Sequence, residues 1–347
     1  MLYGANGYTG KLIIEEALRR GLRPVLAGRS ADAIRPLAEK YGLECRVFDL
    51  ATHTDIVKNL AGMKLLLLAA GPFSATSTPA LKACLEAGVH YLDITGEVSV
   101  FEAAARRDQD AKSAGIVVMP GVGFDVVPSD CLAAALHAAL PTATHLQLAF
   151  AAIGRPSPGT AKTMVEGLPH GGAIRKEGKL EVVPPAWKVM RVPFRRGARM
   201  AMTIPWGDVA TAYRSTGIPN IEVYMAVPPA LIRGAKLYRP FRKLLGLQPV
   251  QAFLKRRAGA GHGPTEEQRR KGRSLLWGRV TDPSGKSAEG QLETLEGYDL
   301  TAQTATDITL RVLNGDVKAG YTTPAMAFGP DYIRSLPDTT LDVTTVP

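Results

Sequence analysis

Over its first 130 residues the chain repeats one order of elements: a short apolar run, a turn, an amphipathic stretch, and a glycine before the next apolar run. The apolar runs fall at residues 2–3, 24–27, 45–49, 64–69, 91–94 and 116–119, and Gly21, Gly42, Gly88 and Gly115 close the stretches between them. Strands alternating with helices in this way bury both faces as a parallel sheet covered by helices, so the pattern predicts a doubly wound α/β domain of six strands. A glycine at each helix end fits, because the residue that terminates a helix often adopts a left-handed conformation. Two helix starts are marked as well. Ser99-Val100-Phe101-Glu102 reads as a capping box, and Thr78-Pro79 reads as a cap followed by proline at the first helical position.

The first turn is Gly4-Ala5-Asn6-Gly7-Tyr8-Thr9-Gly10, followed by a helix over residues 11–20 with Leu12, Ile13, Ala17 and Leu18 inward. Glycines let backbone amides approach a pyrophosphate, and the helix that follows points its partial positive end at the same phosphates. Gly4, Asn6, Gly7, Tyr8, Thr9 and Gly10 are therefore the expected pyrophosphate cradle. The second strand ends in Arg29-Ser30, where many dinucleotide sites carry an acid for the ribose 2′-hydroxyl. A guanidinium there holds a 2′-phosphate instead, so Arg29 and Ser30 predict NADP(H), with Asp49 near the adenine. Only three residues precede Gly4. Either the first strand is a stub or the numbering starts at an internal methionine.

Ligands of open α/β sheets sit at the carboxyl ends of strands. After the fourth strand, Ala70, Gly71, Pro72 and Phe73 form a tight turn suited to the nicotinamide ribose, or simply a tight loop. After the fifth, alternation places Asp93, Thr95 and Glu97 on one side, where they orient a substrate, pass a proton, or cap the next helix. After the sixth, Gly121 and Gly123 are expected near the nicotinamide, with Asp130 capping a helix and Asp125 left without so simple a role. Further on, Thr160 and Lys162 are candidates to donate to a substrate oxygen or phosphate; otherwise Thr160 caps a helix and Lys162 is solvated. Thr95, Asp125 and Lys162 are the candidates around the reacting atoms. The Tyr-x-x-x-Lys pair, the GxSxG elbow and the GK[ST] P-loop are missing, and the six histidines show no metal-ligand spacing, so no metal is expected.

Beyond Asp125 the pattern changes. Residues 144–153, 221–227, 274–281 and 290–296 are candidate strands of an antiparallel sheet, residues 300–313 a helix started by Asp299, and residues 259–264 a mobile loop. The C-terminal Thr323-Pro324 reads as a cap whose helix returns over the cofactor cleft. The expected organisation is a Rossmann domain at 1–140, an inserted α+β substrate and dimerisation domain with a mixed or antiparallel sheet at 141–315, and a return segment at 316–347 packing on the first domain.

A hydrophobic content of 46% suits a globular chain, and no run is long enough to span a bilayer or to act as a secretory leader, so a cytoplasmic protein is expected. Cys45, Cys84 and Cys131 lack CxxC spacing and read as reduced thiols. Charge is uneven: residues 231–279 hold 13 Lys and Arg against Glu266 and Glu267 alone. That segment is suited to an anionic membrane surface, an acidic carrier, or plain solvation, with Leu231, Leu237, Phe241, Leu244 and Phe253 interleaved among the cations. Peripheral attachment at an inner membrane face follows as one expectation, with no nucleic acid partner.

The glycine turn, Gly71-Pro72-Phe73, Tyr91-Leu92-Asp93-Ile94-Thr95-Gly96-Glu97 and residues 121–130 resemble the saccharopine dehydrogenase-like oxidoreductases. Ile204-Pro205-Trp206-Gly207-Asp208-Val209 and Tyr213-Arg214-Ser215-Thr216-Gly217-Ile218-Pro219-Asn220 look like the trans-acting enoyl reductase branch. The resemblance implies a Rossmann domain, an inserted domain with a mixed sheet, NADP(H), and a lipidic, carrier-linked or polyketide-like substrate, and a homodimer is expected. Hydride transfer to a polarised C=C bond is the leading expectation. Reduction of C=N in an amino-acid-derived substrate and a noncatalytic NADP(H)-binding sensor or lipid-surface adaptor are the alternatives.

Overall fold

The computed structural model describes residues 1–151, 156–259 and 261–346. Its first elements are β1 (Leu2–Tyr3), α1 (Tyr8–Arg19), β2 (Leu26–Gly28), α2 (Ala31–Tyr41), β3 (Cys45–Val47) and α3 (His53–Leu60). Next come β4 (Leu65–Leu68), α4 (Phe73–Ala87), β5 (His90–Asp93), α5 (Val98–Ala105), α6 (Asp108–Ala114) and β6 (Val117–Met119). They are followed by α7 (Val127–Ala139), β7 (His145–Ala151), α8 (Pro158–Gly167), β8 (Gly172–Lys176), β9 (Lys179–Val183), β10 (Val189–Phe194) and β11 (Gly197–Thr203). Then come α9 (Asp208–Thr216), β12 (Asn220–Ala226), α10 (Pro229–Leu237), a 3-10 turn over Arg239–Gly246, α11 (Gln248–Gly259) and α12 (Glu266–Lys271). The chain ends with β13 (Arg273–Thr281), β14 (Ser287–Leu295), α13 (Gly297–Leu313), β15 (Gly320–Tyr321), α14 (Pro324–Phe328), a 3-10 turn over Pro330–Ser335, and β16 (Thr340–Val346).

The chain divides into two compact units, one of Met1–Asp125 with Tyr298–Ala327 and one of Val126–Gly297 with Phe328–Pro347. This differs from the expected boundaries at residues 140 and 315. At the C-terminal end the cause is strand pairing: Gly320 and Tyr321 join the first sheet beside β6, whereas β16 pairs with β14 of the second.

The first unit is a seven-stranded parallel sheet in the order β15-β6-β5-β4-β1-β2-β3. The six predicted strands are present, and β15 is a seventh that two residues alone could not announce. All four leucines of β4 are buried, as a central strand covered on both faces requires. Gly21, Gly42, Gly88 and Gly115 all take positive φ at helix ends. Helix starts were less legible. Helix α1 begins at Tyr8 rather than residue 11; Thr78 and Pro79 lie inside α4; and Ser99 lies inside α5, whose N-cap is Glu97.

The second unit contains a mixed sheet, β10-β11-β12-β7-β13-β14-β16, with the β8–β9 hairpin attached to β12. Of the two expected forms, mixed or antiparallel, the sheet takes the mixed one, its antiparallel ladder interrupted by the parallel pair β7–β12. Ile153, expected in β7, and Ala260, in the expected mobile loop, lie outside the described residues. Gly278 and Gly290 face each other across β13 and β14, and a Cβ on either would come within 2.6 Å of Leu136 or Leu132. The paired glycines thus form the slot in which α7 lies on the sheet. Helix α13 starts at Gly297, two residues before the expected Asp299 start signal, and Thr323 Oγ1 accepts from Met326 N at 3.3 Å at the start of α14.

Candidate functional site at the carboxyl edge of the parallel sheet

Strand β1 pairs with β2 on one side and β4 on the other, so the strand order reverses there and opens a crevice above the β1 and β4 carboxyl ends. The glycine turn leaves β1 at this point. Gly4 takes φ +85°, and a Cβ on it would lie 2.8 Å from the Ala69 and Ala70 backbone. A Cβ on Gly10 would lie 2.5 Å from the Gly4 carbonyl oxygen, so helix and strand approach as closely as the backbone allows. Gly7, the N-cap of α1, has no side chain to compete for the first-turn amides, and no acidic residue occupies that turn. A dinucleotide pyrophosphate fits a cradle of this kind. Tyr8 stands edge-on to Tyr298 at a centroid distance of 4.9 Å, while Asn6 is exposed.

Arg29 and Ser30 follow β2, both exposed, and Arg29 makes no ion pair among the described residues. Asp49, two residues past β3, is exposed as well and accepts from Ala51 N at 2.8 Å. Burial raises the Tyr3 phenol to about 12, with Asp49 adding to the shift and Arg29 opposing it, so both charges reach the same corner of the edge. Arg29, Ser30, Asp49 and the glycine turn therefore share one rim, as their strand ends require.

The turn after β4 is held from two directions. Glu97 accepts from Phe73 N and Ser74 N, each at 2.8 Å, and so clamps the N-terminus of α4 with its carboxylate. Thr76 Oγ1 donates to the Ala70 carbonyl at 2.7 Å. Ala70, Gly71, Pro72 and Phe73 are thus fixed beside Gly4.

Asp93 is fully buried. Tyr91 Oη donates to its Oδ2 at 2.6 Å, and the Thr95 and Gly121 amides donate to Oδ1 at 2.9 Å. Burial raises its carboxyl to about 6, while these three donors pull in the opposite direction. The group ties β5 to the loop after β6. Tyr91→Phe would remove one donor and is expected to cost about 1–3 kcal/mol; the urea midpoint checks this, and an unchanged midpoint would exclude the clamp.

Thr95 is also fully buried, its Oγ1 accepting from Glu97 N at 3.0 Å, so its hydroxyl orients the clamp rather than an open face. Gly121 and Gly123 are buried too. A Cβ on Gly123 would lie 2.8 Å from Thr301 Cγ2, Phe124 N donates to Thr301 Oγ1 at 3.0 Å, and Thr304 Oγ1 donates to the Val122 carbonyl at 2.8 Å. Helix α13 therefore grips the loop that was expected to face the nicotinamide through its glycines. Sequence reasoning missed Tyr298, Thr301 and Thr304; their spacing of three along a helix was the available signal.

Asp125 behaves differently from Asp93. Its carboxyl lies against Gly96, whose Cβ would come within 3.2 Å of Asp125 Oδ2, and no hydrogen bond to it is found among the described residues. Burial and the neighbouring Glu97 charge raise it to about 7. Asp130, expected to cap α7, lies inside its first turns and accepts from Ser215 Oγ at 2.6 Å. Lys162 belongs to the other unit, exposed on α8 with its stem against Gly259 of α11, and Ser157 rather than Thr160 caps that helix.

Residues 1–119 match the family described as the saccharopine dehydrogenase NADP binding domain. A trans-acting enoyl reductase of Mycobacterium leprae is 32% identical over 138 residues, covering 38% of this chain and 33% of that protein. A human saccharopine dehydrogenase-like oxidoreductase is 26% identical over 150 residues, covering 38% of this chain and 35% of that one. The matches thus span about a third of these relatives. The fold is similar over greater lengths. Saccharopine dehydrogenase (L-Glu forming) of Saccharomyces cerevisiae aligns with a TM-score of 0.66 at 13% identity, over 100% of this chain and 99% of that one. Homospermidine synthase of Legionella pneumophila, solved with NAD, aligns at 0.64 and 12% identity, over 99% and 90%.

Proposed function

We propose that the chain is an NADP(H)-dependent oxidoreductase that delivers hydride to a polarised C=C bond of a hydrophobic substrate. The observation that carries the reading is the open carboxyl edge: a side-chain-free cradle at Gly4, Gly7 and Gly10 beside an exposed, ion-pair-free Arg29. When bound there, a reduced nicotinamide supplies two electrons as hydride. Gly4, Gly7 and Gly10 would receive the pyrophosphate, Arg29 and Ser30 the 2′-phosphate, and Asp49 would lie by the adenine. The Glu97 clamp holds the 70–73 turn in place for the ribose.

Asp125, neutral below about pH 7, is suited to donate the proton that completes a reduction. Thr95 acts through Glu97 and is a positioning residue. Lys162 belongs to the other unit and carries no role in this reading. The 30–32% identities to proteins named trans-acting enoyl reductases favour C=C; the relatives named saccharopine dehydrogenase-like oxidoreductases at 26–27% keep C=N as the second reading.

Arg29→Ala is expected to weaken NADPH binding about 10–100-fold, the worth of charge-assisted hydrogen bonds, and leave NADH affinity nearly unchanged. Fluorescence titration checks this, and equal losses for both cofactors would remove the 2′-phosphate assignment. NADPH oxidation screened against enoyl thioesters, enones and cyclic imines separates C=C from C=N reduction. Silence with all three, while NADPH binds, would favour a dinucleotide-binding sensor.

A further inference from the structure

Helix α10, the Arg239–Gly246 turn and α11 form a continuous helical segment that is bonded to the second unit along one side only. Ile232 and Ala235 are buried. Arg239 donates to the Pro185 and Ala186 carbonyls at 2.8 and 2.6 Å, Gln251 donates to the Val165 carbonyl at 3.0 Å, and Lys255 pairs with Glu166 at 2.5 Å. These contacts hold the segment on α8 and on the loop after β9.

The remaining surface is unusually apolar. Leu231, Leu237, Phe241, Leu244, Leu247 and Phe253 are 51–77% exposed, and they are six of the thirteen exposed large hydrophobic side chains among the described residues. Such a concentration within 23 positions is not the scattered exposure normal for a protein surface. The same stretch is strongly cationic: residues 229–259 hold eight Lys and Arg and no Asp or Glu. Of these, the side chains of Arg233, Lys236, Lys243, Arg256 and Arg257 make no ion pair or hydrogen bond among the described residues.

We infer that the outer face of residues 229–259 is a peripheral docking surface for an anionic lipid bilayer. Charge complementarity selects this occupant. The cores of protein interfaces are depleted in lysine, whereas a helix that lies in a membrane interface mixes Leu and Phe with Lys and Arg whose long stems cover apolar surface and whose heads meet phosphate. No helix among the described residues is long and apolar enough to cross a membrane. The segment therefore lies on the bilayer, its leucine and phenylalanine side chains entering the acyl boundary while the unpaired cations sit at headgroup level.

Co-sedimentation of the whole chain with phosphatidylcholine vesicles, with and without phosphatidylglycerol, tests this independently of any cofactor or activity. The chain is expected to sediment with the phosphatidylglycerol vesicles at low salt, to stay in solution with phosphatidylcholine alone, and to be released from the anionic vesicles at high salt. Lys236→Ala and Lys243→Ala are each expected to weaken partitioning about fivefold. The pair Leu237→Ser with Phe241→Ser is expected to abolish it; far-UV circular dichroism confirms that this variant folds. Failure to sediment with anionic vesicles at low salt overturns the inference, as does binding that neither substitution class alters. Sedimentation velocity supplies the rival outcome: a dimer that Phe241→Ser dissociates, with no vesicle binding, would assign the face to a second copy of the chain.

Discussion

Asp125→Asn is expected to lower kcat by at least about a hundredfold at pH 6, the usual worth of a positioned general acid, while NADPH affinity stays within about twofold. The physical basis is the site of the carboxyl, not its identity. Asp125 and Asp93 are both raised by burial, but Asp93 spends both oxygens on Tyr91, Thr95 and Gly121, whereas Asp125 has no such donors. Without donors to favour its charged form, and with Glu97 close by, Asp125 stays protonated up to about pH 7. Its proton is therefore available at neutral pH and lost above it. The wild-type rate should be flat below about pH 7 and fall as pH rises through it; the asparagine variant should lack that limb. Glu97→Gln removes the like charge, so it should move the limb to lower pH. An alkaline limb that survives in Asp125→Asn would show that another group donates the proton.

Gly10→Ala is expected to be the most damaging change at the cradle. The added Cβ would sit 2.5 Å from the Gly4 carbonyl oxygen and 2.8 Å from that of Ala5, both backbone atoms that cannot rotate away. Helix α1 and the β1 turn must separate, at a cost of about 2–4 kcal/mol. Because the same separation pulls the first-turn amides from the phosphate position, NADPH affinity should fall more than tenfold. Gly7→Ala makes the internal control: its Cβ would be 3.2 Å from the Gly4 oxygen, so a shift of a few tenths of an ångström relieves it. Urea denaturation with and without NADPH distinguishes the two. Equal midpoints for Gly10→Ala and wild type would mean that helix and strand are not in the contact described.

Much of the first unit was legible because its signals are local. A central strand must be apolar throughout, as Leu65–Leu68 is, and a helix end must admit positive φ, as Gly42, Gly88 and Gly115 do. Helix starts misled where the capping chemistry comes from elsewhere in the chain. Helix α4 begins at Phe73 because Glu97, 24 residues away, holds its first amides. Thr78-Pro79 has the local composition of a start yet lies within that helix.

By itself, the sequence determined the parallel α/β pattern of the first unit, the glycine turn after β1 and the arginine after β2, since each follows from residues close together in the chain. Only the tertiary structure decided which carboxyls are free to act. Asp93 ends β5 and Glu97 and Asp125 follow strand ends, but Asp93 and Glu97 receive hydrogen bonds from distant backbone amides and Asp125 does not. It also decided that Thr301 and Thr304, contributed after nearly the whole second unit has been traversed, grip the Gly121–Phe124 loop. Hydrogen-bond satisfaction depends on long-range neighbours, and a one-dimensional pattern carries no record of them.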